Sequence, residues 1–134
     1  MVEPSLIFFS DVALERGASE MQISGKLTGS SYINYCLSPD LGIYVQISAV
    51  IIDKNGNPEW TQDGLPEGGA DGGSYIKAGE VKNFQLSNSY NTPVNVGDIL
   101  FIIAYIKGGM PEDAAASKGN IDKGFYGGFR GELN

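Results

Sequence analysis

Glu59, Asp63, Glu67 and Asp71 follow one another at intervals of four, with Trp60 beside the first and Asn57 just ahead of it. An exposed indole stacks on the apolar face of a sugar ring while neighbouring carboxylates and amides accept its hydroxyl hydrogens, so this stretch has the residue types of a glycan site. On a helix the interval would align the carboxylates. Gly64, Pro66, Gly68, Gly69, Gly72 and Gly73 forbid that reading, because each Gly costs roughly 1 kcal/mol and Pro about 3 in a helix interior. What remains is an acidic, glycine-rich loop bordered by an aromatic. Calcium takes about six to eight oxygen ligands, which a pliable loop can offer, so Asp63, Glu67 and Asp71 are candidate calcium ligands and no other cofactor is implied. The bland alternative makes Trp60 a plug at one end of the core. Asp53-Lys54-Asn55-Gly56-Asn57 opens like an EF-hand loop, but Pro58 stands where that loop needs glycine and Gly64 where it needs a bidentate acid.

Catalytic chemistry finds few tools in this chain. Histidine is absent, which removes Ser-His-Asp and Cys-His nucleophilic sites, histidine-bearing zinc sites and the usual proton shuttle of neutral pH. Cys36 is the single cysteine, so an internal disulfide cannot form, and it reads as a buried structural thiol on a strand. The phosphate-loop, dinucleotide and nucleophile-elbow patterns are missing. The expectation is a protein that is not an enzyme.

Nine Lys and Arg against sixteen Asp and Glu give a net charge of −7, with the basic residues scattered singly. Nucleic-acid binding draws on clustered cations that release counterions, so that partner is not expected. The apolar run Ile99 to Ile106 is too short for a transmembrane helix. An acidic residue follows Met1-Val2 where a signal peptide needs a basic start, so no export signal is visible and a cytoplasmic chain is the expectation.

These residues must be positioned by strands. Nineteen glycines and frequent Asn and Ser in 134 residues are the composition of strands joined by tight turns. Alternation predicts strands over Leu6 to Leu14, Met21 to Leu27, Tyr32 to Leu37 and Ile43 to Asp53; in the last, Ile43, Val45, Ile47, Ala49 and Ile51 share a face suited to the middle of a sheet. Asn55-Gly56 predicts a hairpin, because those residues tolerate the positive φ of tight turns. Further strands are expected after residue 74, on either side of Ala78-Gly79, then from Ile99 to Lys107, and finally from Phe125 to Leu133. Pro111 to Lys118 has the first-turn proline, early acids and alanines of a short helix.

The sum is one domain over residues 1–134: an all-β, antiparallel two-sheet sandwich of about seven or eight strands, immunoglobulin-like or jelly-roll, with one short helix near 111–118. The leading functional expectation is a lectin-like module that binds a glycan or another protein through Trp60, Asp63, Glu67, Asp71 and Asn57. The rival is a structural subunit that associates with itself through edge strands or an apolar patch from Ile99 to Ile106. A pore-forming role is a weaker third.

Overall fold

The computed structural model describes residues 6–33, 42–70, 73–89, 94–105 and 125–133, the side chains of 125 and 126 excepted. Eight strands order them: β1 (Ile7–Arg16), β2 (Glu20–Gly29), β3 (Ile43–Ile52), β4 (Pro58–Gly64), β5 (Ser74–Ile76), β6 (Val81–Ser89), β7 (Ile99–Tyr105) and β8 (Phe125–Glu132). They form two antiparallel sheets. One runs β1-β2-β6; the other runs β4-β3-β7-β8, with β5 extending it along the start of β3. Lettered in chain order with β4 as C′, the sheets read A-B-E and C′-C-F-G, the Greek-key order of immunoglobulin-like sandwiches. That order decides between the two topologies the sequence leaves open.

The core follows from side-chain parity. Every second residue of β3, Ile43 through Ile51, is essentially inaccessible to water, as are Met21, Ile23 and Leu27 on β2 and Leu100, Ile102 and Ala104 on β7. One face of each sheet turns inward and the two faces close over a single cluster. In β1 the apolar residues Ile7 and Phe9 are followed by Val12 and Leu14, a spacing of three that would send the second pair outward. A bulge restores them: Ser10 pairs with Lys26 but Ala13 with Ser24, and the extra turn is taken at Asp11, whose φ is 52°.

Both sandwich seams are closed by facing edges. Along one, the Trp60 indole N–H donates to the Asn88 carbonyl at 3.2 Å and the Asn88 amide donates to the Thr61 carbonyl at 3.1 Å, tying β4 to β6. Along the other, β8 approaches β1 so closely that a Cβ on Gly127 would collide with the Ile7 carbonyl oxygen.

One expectation changes. Tyr32 lies in a turn and Ile33 at a helical position rather than in a strand, with the Ile33 N–H donating to the Ser30 carbonyl, so Tyr32 is half exposed while Ile33 is buried. The turn-rich Ser30-Ser31 pair, which binds the Tyr32 N–H through the Ser30 hydroxyl, ends strand pairing there. Cys36, Asp71 and the helix expected near 111–118 lie outside the described residues.

Candidate functional site

Placement scatters the aromatic and acidic residues singled out in the sequence. Trp60 is 4% exposed, its inward ring belonging to the core and its N–H satisfied by Asn88, so it offers no open face to a sugar. Asn57 closes the hairpin turn at one end of β4, and Glu67 lies past the other end, roughly 20 Å or more away at about 3.3 Å per residue. Asp63 is exposed on the outer face of β4, opposite Ser48. Glu67 is a stitch: its carboxylate accepts the Asn83 N–H at 2.8 Å while its own N–H donates to the Asn83 carbonyl at 2.9 Å. Among the described residues no group of three or more His, Cys, Asp or Glu is arranged to hold a metal. None of their helices is long and apolar enough to cross a membrane.

Two other places do gather chemistry. The first is a polar cleft of about 320 Å³ at the hairpin end of the sandwich, lined by Asp53, Lys54, Asn55, Glu59, Asn95, Val96 and Asp98. Asp53 turns the hairpin: its Oδ1 accepts the N–H groups of Asn55 at 2.8 Å and Asn57 at 2.9 Å, and Gly56 takes φ +85°. Those donors, Asn57 foremost, hold its carboxyl below the usual aspartate range. Glu59 is the extra residue of a second bulge, since Ile51 pairs with Trp60 but Ile52 with Pro58. The bulge re-aims its side chain toward Asp98. A hydrogen bond with Asp98, then burial, then the negative charges of Asp98 and Asp53 push the Glu59 carboxyl up to about 7. Asp98 is 2% exposed; its Oδ2 accepts the Asn95 N–H at 2.7 Å and its carbonyl accepts the Leu133 N–H at 2.8 Å.

The second place is the outer face of the five-stranded sheet. Cross-strand neighbours Ile52 and Ile99, Val50 and Phe101, and Ser48 and Ile103 make an apolar strip there, with Ile103 39% exposed and the others half-buried. Asp63 flanks the strip on β4; burial, together with this carboxylate, pushes the Tyr105 phenol up. Arg130 flanks it on β8, its guanidinium 6.0 Å from the Phe101 ring centre. A larger groove, about 490 Å³, opens where the edges of β1 and β8 part, lined by Val12, Leu14, Phe129 and Leu133 among others.

Sequence reasoning passed over the Glu59–Asp98 pairing, because thirty-nine positions separate the two and nothing local to either announces the other. The signal that could have found it is the hairpin: a strand leaving Asp53 must return past it, and any acid on the return faces whatever precedes β7. Comparison with protein-family models, with curated proteins and with solved structures finds no match for this chain.

Proposed function

We propose that this protein is a non-catalytic structural module that pairs with a second copy of itself through the outer face of the five-stranded sheet. The observation that carries this is the strip of Ile52, Ile99, Val50, Phe101 and Ile103. A central strand such as β7, apolar on both faces, is the pattern of a sheet covered on both sides, and exposed contiguous apolar surface marks association sites. A second copy suits the flanks as well. With Asp63 on one side of the strip and Arg130 on the other, a two-fold pairing of identical faces can bring the acid of each copy toward the base of its mate.

Sedimentation across a concentration series tests this. The expected result is a dimer that Ile103→Glu converts to a monomer with unchanged circular dichroism. Because each copy carries a net charge of −7, long-range repulsion opposes encounter, and moderate salt should strengthen association. A chain that stays monomeric at every concentration and ionic strength sinks the reading.

A second reading, recognition of a glycan, rests on the hairpin-end cleft, where Asn55 and Asn95 offer amides and Asp53 a carboxylate beside Val96, which is 69% exposed. A glycan array with Asn95→Ala as control tests it; no binding, or binding indifferent to the substitution, removes it.

A further inference from the structure

Two carboxylates repel unless a proton lies between them, and the hairpin-end cleft brings two together where water is scarce. Glu59 Oε2 is buried and has no hydrogen-bond partner so long as both acids are counted as acceptors only. Asp98, 2% exposed, already spends one oxygen on the Asn95 N–H. A proton between the two acids gives the buried Glu59 oxygen a hydrogen-bond partner in Asp98. Among the described residues the charged groups around the pair are Asp53 and Lys54 on the β3–β4 turn and Glu132 at the end of β8, whose carboxyl stands beside Gly97. Lys54 is the one cation lining the cleft among the described residues, and it is exposed.

We propose that Glu59 and Asp98 form a proton-operated clasp between the β3–β4 hairpin and the turn that leads into β7, closed while the pair holds one proton and released when both carboxyls are charged. The bulge is the mechanical part: it carries Glu59 out of the alternation of β4 and across to Asp98. Behind Asp98, hydrogen bonds to Asn95 and Leu133 join the clasp to the incoming loop and to the end of β8, so release loosens one corner of the sandwich and leaves the rest standing. The upward displacement of the Glu59 carboxyl to about 7 puts the release in the neutral range. Because this value exceeds the ordinary 4.5, the clasp's stabilisation is complete below about 4.5 and is lost as pH rises through about 7.

Trp60 is the chain's only tryptophan, adjoins Glu59 and is buried at this corner, which makes its fluorescence a built-in reporter. Between about pH 5 and about pH 9, the wild-type emission should shift to the red and acrylamide quenching should rise several-fold, with a midpoint near 7 and no change in far-ultraviolet circular dichroism. Glu59→Gln keeps a hydrogen-bond donor for Asp98 and cannot ionise, so its Trp60 signal should stay in the closed form throughout. Carboxyl-carbon NMR of the unaltered protein gives a reading that needs no variant: the Glu59 resonance should move near neutral pH. A flat Trp60 signal, a transition that survives in Glu59→Gln, or a Glu59 carboxyl that titrates in the ordinary glutamate range would each overturn the clasp.

Discussion

At the hairpin end of β4, between Asp53 and Trp60, each acid is committed: Asp53 ties the turn through two backbone N–H groups, and Glu59 leans on Asp98. At the far end, from Asp63 to Ala70, Asp63 lies in solvent and Glu67 stitches the loop to β6 at the surface. At the committed end the two acids are shifted in opposite directions. Asp53 meets donors and its carboxyl is lowered; Glu59 meets another acid under cover and its carboxyl is raised. The contrast shows that an acid's role here is set by what the opposing element presents to it, donor or carboxylate, and by how much water reaches it.

The comparison can be broken at several points. The largest effect is expected from Trp60→Ala, which empties a core position at the committed end and should cost about 3–5 kcal/mol in urea unfolding; a cost under about 1 kcal/mol would mean that the indole is not the plug described here. Next comes the alkaline limb. Raising the pH from about 5 to about 9 should lower wild-type stability by roughly 1–2 kcal/mol after allowance for the partial exposure of Glu59, and Glu59→Gln should abolish that slope. Glu67→Ala removes a surface acceptor from Asn83 and should cost about 1 kcal/mol, measured in the same way. Asp53 works with the opposite sign: its lowered carboxyl adds stability above the ordinary 3.8 that disappears as pH falls through the lowered value, so Asp53→Ala should flatten the acid limb of a thermal melt. Smallest is Asp63→Ala, within about 0.5 kcal/mol of wild type, with its effect confined to dimer formation if the outer face pairs as proposed.

Much of the fold was legible because it depends on periods the chain itself carries. The stripe Ile43 to Ile51, the Asn55-Gly56 hairpin and the closing strand from Phe125 can all be seen in residue order, since strand parity and turn geometry are local properties. The bulge at Asp11 was half legible, in the three-residue step from Phe9 to Val12. Tyr32 misled because alternation over so short a run also fits a turn followed by one buried apolar residue, Ile33, in helical conformation. The site was hardly legible at all. Trp60 beside four spaced acids suggests a stacking platform until the sheet twists its ring inward under β6.

Composition and strand parity were enough to indicate an all-β sandwich and to name the core stripe from Ile43 to Ile51 in advance, because hydrophobic burial rewards the period of two wherever a sheet has one wet side and one dry. Which acid meets which neighbour was decided only by the assembled sheets. The encounter of Glu59 with Asp98, the stitch of Glu67 to Asn83 and the outward row on β7 are pairings between distant segments, and the strand order that creates them is a property of the whole chain closing on itself rather than of any stretch within it.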